Sequence, residues 1–205
     1  MNNNLSTKEK IFEAAVELFS KRGYNGVSVR DIAKEVGIKE ASIYNHYNSK
    51  EEILNDIINR FNDVFEKGNN FSFKMDLLYD SVSPRKYFKM VNLMIKEVFQ
   101  DKRMMKMLMI CIIEMYNNEK AKEMVKKMLA PKDVESMNMY LNKYIKEGKI
   151  KNVNVQTLQD HINYFLFSAY LETTINVSKD NEIDFDEFDK RMIKQIDFIF
   201  DLIEI

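Results

Sequence analysis

Glycine and proline are nearly missing from this chain, with five of the first and two of the second among 205 residues. Sandwiches, barrels and doubly wound sheets turn every ten residues or so and draw heavily on both. A chain with so few of these turn residues must run in long segments, and its abundant Lys, Glu, Leu, Ile and Met favour helices. The expected fold class is therefore all-α. Apolar residues make up 45% of the chain, enough to build a core.

The glycines fall where helices should end. Ser6-Thr7-Lys8-Glu9 reads as a capping box in which Ser6 accepts from a first-turn amide and Glu9 reaches back. Ile11, Phe12, Ala15, Val16, Leu18 and Phe19 then form a stripe at helical period, closed by Lys21-Arg22-Gly23. Ser28 caps a second helix with Asp31 in its first turn and Ile32, Ala33 and Val36 inward, and Gly37 ends it. Ile38 restarts an apolar face that continues through Ala41, Ile43 and Tyr47. Ser49 and Glu52 cap a fourth helix, with Leu54, Ile57, Ile58, Phe61, Val64 and Phe65 as its stripe and Gly68 as its end. Further helices are expected at about 84–100, 104–117, 120–130 and 133–147, with long ones at 155–177 and 185–203.

Residues 28–50 hold the chemistry. Two short helices meeting at a glycine form a helix-turn-helix. Ile32, Ala33, Ile38 and Ile43 give the pair a shared core, which frees the outer face of the second helix. That face carries Lys39, Glu40, Ser42, Tyr44, Asn45 and His46 on about two turns, the size and polarity that suit a major groove. Ser28 and Arg30 on one side, and Tyr44 and Lys50 on the other, offer hydroxyl and cationic groups to phosphates. Tyr47 falls with Ile43 and is read as core.

The run from Val29 to Ile38, then from Ala41 to Leu54, together with Ala14-Ala15, Leu18-Phe19 and Gly23-Tyr24, resembles the TetR family of transcriptional regulators. The resemblance spans residues 6–55. It implies a DNA-binding domain at residues 1–50 and a larger helical effector-binding and dimerisation domain at 51–205. It further implies a homodimer on a palindromic, double-stranded DNA operator, repressing transcription and released by a small molecule. Ser28, Arg30, Lys39, Ala41, Ser42, Tyr44, Asn45, His46 and Lys50 are the implied DNA-binding residues, with Lys50 on a backbone phosphate. Glu40 departs from the family pattern and would repel phosphate, so it is not counted. Dimerisation is expected through 155–177 and 185–203, where Leu158, Ile162, Phe165, Leu166, Ala169, Ile193, Ile196, Ile199, Phe200 and Ile203 repeat at helical spacing.

Eleven of the fourteen Met lie between Met90 and Met139. Met is deformable and suits apolar pockets as readily as cores. An apolar or aromatic effector is expected at Met104, Met107, Cys111, Met115 and Tyr116, with His161, Tyr164 and Phe165 contributed by the long segment downstream. The residues at 176–187 align loosely with a calcium loop, yet Asn176, Ser178 and Asn181 replace its acidic ligands and turn glycine, so it is read as an acidic loop.

Other classes are excluded or weak. The formal charge of −1 splits into +2 over residues 1–50 and −3 over the rest, which only hints at an anionic partner for the first part. One cysteine and two separated histidines, His46 and His161, give no metal site. No cofactor is expected. There is no Gly-rich phosphate loop, no G-x-S-x-G and no H-E-x-x-H, so no enzyme is expected. The longest apolar run, Met107 to Ile113, is far short of the ~20 residues of a membrane span. With a polar start and no signal-peptide core, the expected location is cytoplasmic. Two rival readings stay open: a DNA-binding regulator with a filled core and no effector, acting as repressor or activator, and a helical enzyme or interaction module on the same scaffold.

Overall fold

A computed structural model describes residues 5–69, 82–129, 135–177 and 185–205. Helices account for nearly all of them: α1 (Thr7–Arg22), α2 (Val29–Val36), α3 (Glu40–Ile43), α4 (Lys50–Asn69), α5 (Pro84–Phe99), α6 (Lys102–Glu114), α7 (Glu119–Leu129), α8 (Glu135–Lys146), α9 (Val155–Val177) and α10 (Phe185–Ile203). No described helix is long and apolar enough to cross a membrane.

The chain divides into two units that are not continuous in sequence. One holds the described part of residues 1–64 with 102–125; the other holds that of 65–101 with 126–205. The boundary expected after residue 50 is thus displaced. Most of α4 and all of α6 belong with the first three helices, because their apolar faces complete that core.

In the first unit, Ile11, Phe12, Ala15 and Phe19 of α1 are buried together with Ile32, Ala33, Ile43 and Tyr47 and with Ile53, Leu54, Ile57, Ile58 and Phe61 of α4. From α6 come Met104, Met107, Leu108 and Cys111, all essentially inaccessible. Along the rim of the α1–α6 seam, Glu13 accepts from Arg103 at 2.9 Å and Glu17 pairs with Lys106. Arg103 also lies 3.7 Å from Glu9. Glu9, Glu13 and Glu17 are spaced one turn apart and so face α6 together. The capping box expected at Ser6 is half formed. Ser6 Oγ accepts from the Glu9 N–H at 3.2 Å, while the Glu9 carboxylate accepts from Arg60 Nη1 at 2.8 and 3.0 Å. An ion pair to a guanidinium outcompetes a neutral amide for that carboxylate.

In the second unit, Tyr87 and Phe88 of α5, Tyr140, Leu141 and Tyr144 of α8, Ile150, and Ile196, Ile199, Phe200 and Ile203 of α10 form one core. Those last four residues were expected at a dimer interface; α10 instead turns them onto α5. Among the described side chains of α9 and α10, the large apolar ones left exposed are Tyr164, Phe198, Leu202 and, just past the helix, Ile205. Ile162, Phe165 and Leu166 are half-buried. The end of α10 is pinned to the α8–α9 connection by backbone bonds from Lys151 N–H to Ile203 O at 2.7 Å and from Ile205 N–H to Lys149 O at 3.1 Å. Gly68, expected to stop α4, lies within it. The acidic loop at 176–187 lies outside the described residues except at its ends.

Candidate nucleic-acid interface

Ser28 begins the candidate interface. Its Oγ accepts from the Asp31 N–H at 3.1 Å and donates to Asp31 Oδ2 at 2.6 Å, and the same carboxylate oxygen accepts the Ser28 N–H at 2.8 Å. Side-chain and backbone hydrogen bonds from Ser28 hold the Asp31 carboxyl below its usual value, with Arg22 and Lys34 adding to the effect. This closed box fixes where α2 starts. Gly37 fixes where it stops: at φ 77° and ψ 32° it is left-handed, and its N–H reaches back to the carbonyls of Ala33 and Lys34. An L side chain adopts that conformation only at a cost.

The segment after the turn is shorter than expected. Regular helix covers Glu40–Ile43 alone, and residues 44–46 continue as turn. The His46 and Tyr47 N–H groups both reach the Ile43 carbonyl, at 2.9 and 3.0 Å. The two-turn rod is therefore one α turn and one tighter turn. Ile43 and Tyr47 still fall on one face and are buried, so the opposite face is presented as a unit. On it Lys39, Glu40, Ala41, Tyr44 and Asn45 are exposed, and Ser42 and His46 half-exposed. Ala41, also expected on the apolar face, lies on the open one. Arg30 is exposed on α2.

A half-buried polar cluster holds this segment from beneath, and the sequence reading missed it. Tyr47 Oη donates to Asp56 Oδ2 at 2.7 Å. Asp56 also accepts from Arg60 at 3.1 and 3.2 Å, and Arg60 continues to Glu9 and stacks over Phe12 at 3.9 Å. Burial and the Asp56 carboxylate push the Tyr47 phenol up, so it remains a neutral donor. The Asp56–Arg60 spacing of four residues on a helix was the legible sign.

Lys50 is more occupied than a free phosphate ligand would be. Its Nζ donates to the carbonyls of Tyr24 and Val27 at 2.9 and 2.7 Å and lies 4.0 Å from the centre of the Tyr24 ring. From the other side, the buried Glu114 at the end of α6 accepts the Tyr24 N–H at 3.0 Å. The α1–α2 loop is thus clamped at one residue from two helices. The loop is also tight: a Cβ on Gly26 would lie 2.3 Å from the Arg22 carbonyl oxygen. An ammonium has three donors, so one N–H of Lys50 remains after the two carbonyls.

The eight residues expected to form an effector pocket are divided between the two units. Met104, Met107 and Cys111 are core of the first unit, where α6 turns its apolar face to α1. Met115 is half-buried, and Tyr116 is 85% exposed. His161 and Tyr164 belong to the second unit and are exposed. That unit holds an apolar cavity of about 40 Å³, and Phe165 alone of the eight lines it. Among the described residues no group of His, Cys, Asp and Glu is disposed to hold a metal ion.

Comparison with known proteins matches this geometry. Residues 11–57 fit the model of the bacterial regulatory proteins of the tetR family. Over that stretch the chain is similar to the tetR family. A 76-residue stretch is 41% identical to the IcaR negative transcriptional regulator of the biofilm operon of Staphylococcus epidermidis, over 35% of this chain and 41% of that protein. The chain therefore spans less than half the length of the curated relatives it matches. Solved structures extend the likeness in fold to the remainder. The TetR-family regulator PfmR of Thermus thermophilus superposes with a TM-score of 0.64 at 19% identity, over 91% of this chain and 96% of that one. FadR of Bacillus subtilis, in complex with stearoyl-CoA, gives 0.56 at 22%, over 92% and 96%.

Proposed function

We propose that this chain is a DNA-binding transcriptional repressor of the TetR family that grips an operator as a homodimer and lets go when a small molecule occupies its second unit. The observation that carries the DNA-binding reading is the exposed polar face of residues 39–46, set on buried Ile43 and Tyr47 and following a closed turn at Gly37. In this reading Asn45, Ser42 and His46 face base edges, and Ser28, Arg30, Tyr44 and Lys50 face phosphates, Lys50 through its third N–H. Lys39 and Ala41 border the groove. Exposed Tyr164, Phe198 and Leu202 supply the apolar surface for a second copy, which spaces the two reading segments about 34–36 Å apart, one turn of duplex. The staphylococcal relatives are named as negative regulators, which supports repression, and the FadR complex with stearoyl-CoA supports a ligand with a long apolar chain.

The test is fluorescence anisotropy with the duplex upstream of the chain's own gene against a scrambled duplex of equal length. Preference for the first, with a slope of log affinity against log salt of several units, is the expected result. Equal, weak binding to both rejects the reading. Replacing Tyr164, Phe198 and Leu202 by Ser should yield monomers by sedimentation and lose operator affinity together.

A further inference from the structure

The cavity of the second unit bears a chemical signature that deepens the effector part of this reading and rests on it. Its walls come from four helices and include Phe88 and Asn92 of α5, Met137 of α8, Phe165 of α9, and Met192 and Phe200 of α10. Almost all of this surface is hydrocarbon. Asn92 and Gln195 are the polar residues among its lining, and of the two Asn92 is the buried one. It is 3% exposed, and its Nδ2 donates to Asp189 Oδ1 at 2.9 Å. A carboxylate only accepts, so the amide must present nitrogen to Asp189 and turn its oxygen away. That oxygen, Asn92 Oδ1, has no hydrogen-bond partner. A buried carbonyl oxygen without a donor is a rare and unfavourable arrangement in a finished core. A ligand that brings a donor relieves it.

We propose that this cavity takes an uncharged, mainly hydrocarbon ligand bearing a hydrogen-bond donor group, such as a long primary alcohol or amide, with Asn92 Oδ1 accepting from that group. The charge preference follows from what stands behind Asn92. Asp189 backs the amide, and the ammonium of Lys96 is turned to Asp189 and Asp186, at 3.4 and 3.3 Å. An anionic head group would meet an acceptor with a carboxylate behind it. The volume of about 40 Å³ is small beside the ~150 Å³ apolar cavity that admits benzene. Entry therefore moves side chains, and the walls contain two unbranched thioethers, Met137 and Met192, suited to it. Gln195, which also lines the cavity, lies 3.2 Å from the exposed His161 through their Nε2 atoms, and this pair marks the side that meets solvent.

The experiment uses the full chain and four eight-carbon probes: 1-octanol, octanamide, 2-octanone and octanoate. Affinities are read by ligand-observed NMR, and operator binding by anisotropy in the same samples. The alcohol and amide should bind about tenfold more tightly than the ketone, the worth of one hydrogen bond to a buried acceptor, and octanoate more weakly still. Asn92→Leu should abolish the preference while keeping binding of 2-octanone. Should that variant fail to fold, the ranking on the unaltered chain decides alone. Equal affinity for alcohol and ketone, tightest binding of octanoate, or no binding of any probe overturns the proposal. Operator binding that persists in that event leaves the regulator reading standing; selective alcohol binding without operator binding removes the regulator reading and leaves the ligand site.

Discussion

Lys50 is the residue whose two proposed tasks separate most cleanly. Its ammonium holds the carbonyls of Tyr24 and Val27 and sits over the Tyr24 ring. Lys50→Met keeps most of the apolar stem and removes the charge. Hydrogen bonds from a charged donor contribute about 1.5–3 kcal/mol each, and the half-buried position brings them to the low end or below. Stacking on the ring adds about 0.5 kcal/mol. A loss of about 2–3 kcal/mol is therefore expected. For a chain of this size each kcal/mol moves the midpoint by about 2–4 °C, so differential scanning calorimetry should show a fall of about 4–12 °C. The second readout is the salt slope of DNA binding. If the third N–H meets a phosphate, the slope should decrease by about 0.9, with affinity falling alike on every sequence. An unchanged midpoint would refute the clamp. A lower midpoint with an unchanged slope would refute the phosphate contact and reduce Lys50 to a support for the loop.

Other expectations follow from the same geometry. Gly37→Ala should cost about 1–2 kcal/mol from backbone strain alone, because no atom lies within 4 Å of the added Cβ; urea titration checks this, and a neutral result would contradict the left-handed turn. Burial pushes the Cys111 thiol up to about 12, so a disulfide reagent at pH 8 should label the native chain about a hundredfold more slowly than the chain in guanidinium. Burial alone would raise the Glu17 carboxyl, but hydrogen bonds from Lys106 and Lys21 outweigh it and hold the group below its ordinary 4.5. A depressed carboxyl contributes stability above its unfolded value and loses it as pH falls through the folded one, so the midpoint should drop on acidification below about pH 4.5, less so for Glu17→Gln. A pH-independent midpoint down to pH 3 would contradict the pairing.

Helix positions were legible because capping residues and apolar period act locally. Ser6, Ser28 and Ser49 each mark a start in the residue types themselves, and α9 and α10 run as their stripes suggested. What a stripe faces is not local. Ile196, Ile199, Phe200 and Ile203 have the same spacing whether they meet α5 or a second copy of the chain. Met104, Met107 and Cys111 read equally as pocket or core, and only the placement of α6 on α1 decides it. The occupation of Lys50 depends on carbonyls more than twenty residues away, and backbone acceptors leave no trace in the letters. The buried Asn92 was invisible for the same reason, since its partner Asp189 lies nearly a hundred positions downstream.

The row of carboxylates on α1 has a practical consequence. Glu9, Glu13 and Glu17 meet Arg60, Arg103 and Lys106 at a partly wetted margin, where dissolved ions weaken attraction over a Debye length of about 10 Å at 0.1 M. In an operator-binding assay, raising electrolyte to weaken the proposed grip on a duplex would also loosen the brace beneath the proposed reading face. A measured ionic slope thus combines counterion release with a softening of the scaffold, and the two separate only when calorimetry accompanies each point of the titration.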